Sequence, residues 1–247
     1  MTMSISWCVV TLLAVAGVVG ALAVAERATG LRGIASTRVA LIAAAVCLAL
    51  LLGLGGLYQV RGIAVIDGRA VEKLSTARGD VLVQVFRVLT TMGDAVPCMV
   101  IAGSLAIVLM RLPGIGLWPF ALPVLVLVQL LLQFAYDHVF AAFTLTDVMP
   151  GLSIDGSGSV PSGSVARFLS IFLVAEMIRR RARPDSPPSP LPTVGAVLVL
   201  VELVTRLYLG RHLLADILGG LLLGVLLVLA AGALLQVTSR RAPSVGN

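Results

Sequence analysis

The sequence has few charged and few aromatic residues for its length. Only 12% of its 247 residues are Asp, Glu, Lys or Arg, and 5% are Phe, Trp or Tyr. Because a soluble domain carries about 25% charged residues, an ordinary soluble domain is excluded. A disordered chain is excluded as well, because 59% of the residues are hydrophobic.

Cysteine is also scarce, with only Cys8, Cys47 and Cys98 in the chain. Each lies in or at the edge of an apolar run, without a C-x-x-C pair or a histidine at ligand spacing, which argues against structural disulfides and a zinc site. The net charge of +6 is explained by positive residues in the loops between apolar runs. No nucleic-acid partner is therefore expected.

Apolar runs of membrane-spanning length are abundant, and the mean hydropathy is +1.07. They predict an all-α polytopic membrane bundle, with six core transmembrane helices in a domain of residues 39–237. Residues 1–38 are expected to add an N-terminal helix and a cytoplasmic loop, and residues 238–247 a cytoplasmic tail. The predicted spans are 5–25, 39–60, 94–111, 118–138, 164–178, 191–209 and 212–237.

Positive residues predict the orientation of these spans, because cytoplasmic loops are enriched in Lys and Arg. The densest arginine cluster lies at residues 179–183, directly after the fifth span. This pattern predicts a bacterial plasma-membrane protein with its N-terminus outside and its C-terminus in the cytoplasm. Segments 61–93 and 139–163 then lie outside, and the first is expected to form a helix in the headgroup region.

Ionisable residues at membrane depth are costly and are therefore candidates for function. His212 and Asp216 are four positions apart, so that on one helix the carboxylate can orient one imidazole nitrogen and leave the other free as a nucleophile. Arg206 offers a cation for an anionic substrate beside that imidazole. Glu202 is four residues before Arg206, and a structural ion pair is the alternative interpretation for it.

A second candidate is the sequence Pro161-Ser162-Gly163-Ser164 at the start of the fifth span. Unpaired backbone N–H groups at a helix N-terminus bind anions, although an ordinary capped helix is the alternative interpretation. In the predicted topology this segment lies on the same outer face as His212. The two candidates are therefore expected to form one phosphate-compatible site.

These residues resemble motifs of the type 2 phosphatidic acid phosphatase family, membrane lipid phosphatases related to vanadium haloperoxidases. The third family motif, S-R-x-x-x-x-x-H-x-x-x-D, is matched from Thr205 to Asp216, with Thr in place of Ser. The second, P-S-G-H, is matched with Ser164 in place of His. The first, K-x-x-x-x-x-x-R-P, is absent from the expected region, which runs from Gln133 to Phe140.

The resemblance implies a hydrolase that removes phosphate from an isoprenoid or phospholipid phosphate or diphosphate. It implies that His212 forms a phosphohistidine, that Asp216 orients its ring, and that Arg206 binds the phosphoryl oxygens together with Ser162 and Gly163. No cofactor and no metal are implied. Membrane lipids and the lipid phosphate are the expected partners, and no protein partner is indicated.

Ser164 changes this expectation, because a hydroxyl cannot replace the family histidine that protonates the leaving oxygen. Loss of a general acid typically costs about 10²- to 10⁴-fold in rate. His138, the other histidine of the chain, is one candidate substitute acid, and an interfacial histidine that only forms hydrogen bonds at the headgroup level is the alternative interpretation. Alternatively, a diphosphate substrate releases a phosphate that needs no acid.

A third hypothesis is a catalytically impaired relative that binds lipid phosphates or scaffolds a cell-envelope assembly. The missing cations of the first motif favour weaker phosphate binding. Ser164 remains a candidate phosphate ligand. Arg167, one helical turn later, and Arg211 are the candidate replacements for the lost positive charge.

Overall fold

The computed structural model describes residues 34–58, 67–69, 79–140, 161–187 and 189–241, and the regular structure of these residues is entirely helical. A 3-10 turn, Trp118–Phe120, leads into the fourth of the helices. The helices are α1 (Ile34–Tyr58), α2 (Asp80–Thr91), α3 (Ala95–Met110), α4 (Ala121–Val139), α5 (Gly163–Ala182), α6 (Leu191–Tyr208) and α7 (Leu214–Arg241).

Four of these helices, α1, α4, α6 and α7, contain stretches long and apolar enough to cross a membrane, and the bent pair of α2 and α3 is a further candidate. Large apolar side chains such as Leu131 and Phe134 are exposed on the outside of the bundle, as lipid contact requires. The predicted all-α polytopic membrane class is confirmed. The number of core spans stays a prediction, and the span expected at 5–25 lies outside the described residues.

Helix α5 is the central helix of the bundle. It packs against α3, α4, α6 and α7, and every residue from Gly163 to Glu176 is buried. Because protein and not lipid surrounds this helix, it tolerates polar residues such as Ser164, Arg167 and Ser170. The helix predicted at 164–178 is present and extends to Ala182.

The α2–α3 pair bends by 50° at the turn that contains Gly93 and Asp94. On α2, Val81, Val85 and Val88 are exposed at helical spacing. The location of a helix from segment 61–93 in the headgroup region stays a prediction. Most of residues 59–78, and all of residues 141–160 in the second outer segment, lie outside the described part of the chain. The bend matters because it directs the turn inwards against α5 and α6.

Helix α7 approaches α5 closely through two glycines. A Cβ on Gly220 would collide with the carbonyl oxygen of Ser162, and a Cβ on Gly224 would lie 2.9 Å from Cδ2 of Leu169. Small residues let helix backbones come together in membrane proteins. The glycines thus bring the beginning of α7 to the beginning of α5.

We expect Gly220→Ala to destabilise the fold by about 1–3 kcal/mol, as overpacking does, because the added methyl group meets backbone and not a flexible side chain. Thermal unfolding of the detergent-solubilised protein measures this effect. Gly103→Ala in α3 is the matched control, since a Cβ there has no neighbour within 4 Å among the described residues. Equal unfolding temperatures for the two variants would contradict the packing argument.

Candidate functional site

His212 and Asp216 meet at the start of α7. Nδ1 of His212 lies 3.3 Å from Oδ2 of Asp216, and the two residues are only 2% and 3% exposed. The helix begins at Leu214, so the predicted start at residue 212 was two residues early and His212 lies in the preceding turn. Asp216 lies in the first turn of the helix, where Oδ2 also accepts the amide N–H of Leu213 at 2.8 Å. This is the carboxylate half of a capping box, and it holds Asp216 against the turn of His212.

Arg206 connects the imidazole to helix α6. Its Nη1 lies 3.2 Å from Nε2 of His212, and its Nε donates to Oε2 of Glu202 at 2.7 Å. The expected contact with His212 and the expected ion pair with Glu202 are therefore both present. With the Nδ1 proton donated to Asp216, Nε2 of His212 is the acceptor and carries the lone pair that faces the guanidinium.

The start of α5 lies directly beside the turn of His212. The amide of Ser162 donates to the carbonyl oxygen of Asp216 at 2.7 Å, which ties α5 to α7. The hydroxyl oxygens of Ser162 and Ser164 are 3.5 Å apart, and both side chains are buried. The structure thus brings the two predicted groups of residues into one site.

Arg167 lies one turn into α5, with its guanidinium bound to neutral acceptors. Nε and Nη2 donate to the carbonyl oxygen of Gly93 at 3.2 and 2.9 Å, and Nη1 donates to Oε1 of Gln129 at 2.7 Å. The side chain is buried. Because these partners carry no formal negative charge, the positive field of Arg167 is available to an anion in the site.

Two amides of α4 belong to the same buried cluster and were not singled out as site residues from the sequence. Nε2 of Gln129 donates to Oε1 of Gln133 at 2.7 Å, and a Cβ on Gly163 would overlap Oε1 of Gln133. These amides lie on the helix where the first family motif carries cations. Two amides four residues apart in an apolar helix are the signal that would have identified them.

His138 lies away from this cluster. Its side chain is exposed in the last turn of α4, and its ring stacks on that of Phe134 with 6.4 Å between the centroids. Gln133 and Tyr136 mark the buried side of the helix, and His138 lies on the other side. The structure does not bring His138 to His212, so the hypothesis that it supplies the missing acid loses its geometric support.

Asp67 is a further residue that the sequence did not identify as part of the site. Its Oδ1 accepts the amide N–H of Leu214 and its Oδ2 accepts that of Ala215, each at 3.0 Å. Together with Asp216 on Leu213, carboxylates occupy three consecutive amides at the start of α7. They satisfy donors that lack helical partners and oppose the positive end of the helix dipole.

We expect Asp67→Ala to lower stability by about 1 kcal/mol, the usual cost of a lost helix cap. For a chain of this size that corresponds to about 2–4 °C in the unfolding temperature, to be measured in detergent. Asp185→Ala, at an exposed position between α5 and α6, is the control for loss of one carboxylate. An unfolding temperature equal to that of the control would show that Asp67 does not support the turn of His212.

Comparison with known proteins matches this part of the chain to a family. Residues 120–240 match the model of the PAP2 superfamily, and this segment contains α4 to α7. A crystal structure described as the first transmembrane PAP2 type phosphatidylglycerolphosphate phosphatase from Bacillus subtilis matches with a TM-score of 0.66 at 15% sequence identity. The match covers 82% of this chain and 98% of that chain, and at this identity it concerns the fold alone. No curated protein matches.

Proposed function

We propose that this chain, which belongs to the PAP2 superfamily, hydrolyses a lipid phosphate or diphosphate through a phosphohistidine formed on His212. The observation that carries the proposal is the position of the imidazole between two oppositely charged partners. Asp216 binds Nδ1, and Arg206 lies at Nε2. One nitrogen is therefore oriented and the other is a nucleophile beside a cation that attracts phosphate.

In the first step, Nε2 of His212 attacks phosphorus, and the bond to the leaving oxygen breaks. With the Nδ1 proton directed to Asp216, Nη1 of Arg206 donates to Nε2 of His212, and a phosphoryl oxygen is a stronger acceptor than this nitrogen. Binding of the substrate therefore draws the guanidinium onto the phosphate and frees the lone pair. The proton on Nδ1 stays with the imidazole, and Asp216 stabilises the positive charge that the ring acquires.

The start of α5 supplies the remaining phosphate ligands. The first amides of a helix have no partner within the helix and bind anions. The main-chain amide of Ser162 already donates to the main-chain carbonyl oxygen of Asp216. Ser162 therefore offers the phosphate its hydroxyl, and the amides that remain for the phosphate begin at Gly163. Ser164 adds a second hydroxyl, and Arg167 adds a buried positive charge below them.

The position of the site along α5 supports a location at the outer face of the plasma membrane. The helix has 20 residues, which corresponds to about 30 Å, the thickness of the hydrocarbon core. The helix begins at the site, and its last turn contains Arg179, Arg180 and Arg181. If this arginine cluster is cytoplasmic, as the positive-inside rule predicts, the site faces outwards. The same rule predicts an external N-terminus and a cytoplasmic C-terminus.

We expect His212→Ala to abolish phosphate release, because the nucleophile is lost. The detergent-purified chain is to be assayed on isoprenoid and phospholipid monophosphates and on the matching diphosphates, and the acid-labile phosphoenzyme is to be trapped on His212. A preference for diphosphates would identify a substrate whose leaving phosphate needs little protonation. His138→Ala is the matched control and is expected to retain activity, because its side chain is exposed on the far side of α4. Phosphate release that survives His212→Ala would refute the proposed mechanism.

A catalytically impaired relative that binds lipid phosphates is the second candidate function. The observations in its favour are Ser164 in place of the family histidine and the absence of the first motif from its expected region, Gln133 to Phe140. A wild-type chain without turnover on any of these substrates, together with activity in Ser164→His, would favour this function. Turnover by the wild type would exclude it.

A further inference from the structure

Glu202 is a buried carboxyl group of which only one oxygen has a partner. Oε2 accepts from Nε of Arg206 at 2.7 Å and from Oγ1 of Thr90 at 3.3 Å. Oε1 is buried and has no hydrogen-bond partner among the described residues, and the whole residue is 1% exposed. A structural ion pair with Arg206 uses Oε2 and leaves Oε1 unexplained.

The unpartnered oxygen lies beside Ser164. The point that a Cβ on Gly93 would occupy is 2.5 Å from Cβ of Ser164 and 2.7 Å from Oε1 of Glu202. Because Gly93 has no side chain, the carboxyl group and Ser164 approach each other across the α2–α3 turn. A group that can carry a proton therefore lies next to the position where the resemblance places the general acid.

Arg206 separates this carboxyl group from the nucleophile. Its Nε binds Glu202, and its Nη1 lies at Nε2 of His212. In phosphoryl transfer, the attacking atom and the leaving oxygen lie on opposite sides of phosphorus. Because the imidazole and the carboxyl group contact different nitrogens of the guanidinium, we expect a phosphoryl group bound there to lie between them.

The charges around Glu202 are mixed. Arg206 lies on the same helix, Asp94 approaches Nη2 of Arg206 at 3.4 Å, and Arg167 binds the carbonyl oxygen of Gly93. Because Oε2 already accepts from Arg206 and Thr90, Oε1 is the oxygen of this carboxyl group that is left for an oxygen of the substrate.

We propose that Glu202 is the general acid of this site and takes over the role left open by Ser164, an inference that rests on the proposed phosphatase function. As Nε2 of His212 bonds to phosphorus and the bond to the leaving oxygen breaks, Oε1 of Glu202 gives its proton to that oxygen. In the second step the carboxylate takes a proton from the water that attacks phosphorus. The P–N bond breaks, phosphate leaves, and both residues return to their starting states.

The test compares the loss of activity in Glu202→Gln on two substrates that differ in their leaving group. Glutamine keeps an oxygen for Arg206 but carries no transferable acidic proton. We expect hydrolysis of an alkyl lipid monophosphate to fall by about 10²- to 10⁴-fold, the usual contribution of a general acid. Hydrolysis of p-nitrophenyl phosphate by the same full-length protein is expected to change little, because its leaving group departs without a proton. Equal losses on the two substrates would overturn the proposal and leave Glu202 as a positioning residue for Arg206.

Two further variants separate proton donation from structural support. Ser164→His in the Glu202→Gln background restores an acid at the family position, and we expect it to recover hydrolysis of the alkyl substrate. Glu176→Gln removes another buried carboxyl that binds two arginines, Arg179 and Arg180, and is expected to leave the ratio of the two activities unchanged. A shift of this ratio in Glu176→Gln as large as in Glu202→Gln would also overturn the proposal. If the wild type hydrolyses neither substrate, the proposed phosphatase function itself fails.

Discussion

The close approach of α5 and α7 is the constraint on which the site depends. The glycine at position 220 lets α7 reach the main chain of Ser162, and the amide of Ser162 then binds the carbonyl oxygen of Asp216. This contact places the start of α5 against the turn of His212. Without it, Ser164 on α5 and His212 before α7 would not share one site.

Burial strengthens the electrostatic interactions among these side chains, and it also makes any unpaired charge unfavourable. Charged groups at membrane depth are unfavourable unless they are paired. Here Arg206 is shared among Glu202, Asp94 and His212, whereas Arg167 binds a carbonyl oxygen and an amide. Because the donors are already oriented in a region of low dielectric, the proposed phosphoryl substrate would meet fixed positive charge with little reorganisation of the site. The same pairing keeps the cluster tolerable when no substrate is bound.

The sequence predicted the membrane class, most helix positions and the proximity of Arg206, His212 and Asp216, since these depend on local spacing. His212, Asp216 and Arg206 lie within one stretch of chain, and their spacing limits how far apart their side chains can be. Gly93 and Asp67 could not be found in this way. Gly93 contributes a carbonyl oxygen and the absence of a side chain, and Asp67 acts on amides about 150 residues away in the chain. Sequence order also did not determine which side of α4 is buried, and it therefore left the role of His138 open.

The departures from the family motifs acquire a common explanation in the fold. Ser164 stands where the family motif has histidine, and Glu202 on α6 approaches the same Gly93 turn as Ser164. The first motif is absent from α4, and Arg167 on α5 binds Gln129 on that helix. In our proposal a neighbouring helix supplies the missing chemical group in both cases. A phosphoryl-transfer site requires positive charge at the phosphate and a proton near the leaving oxygen, and neither requirement specifies the helix that provides them. The buried contacts among α4, α5 and α6 therefore identify candidate functional residues. A comparison of motifs, position by position, does not find them.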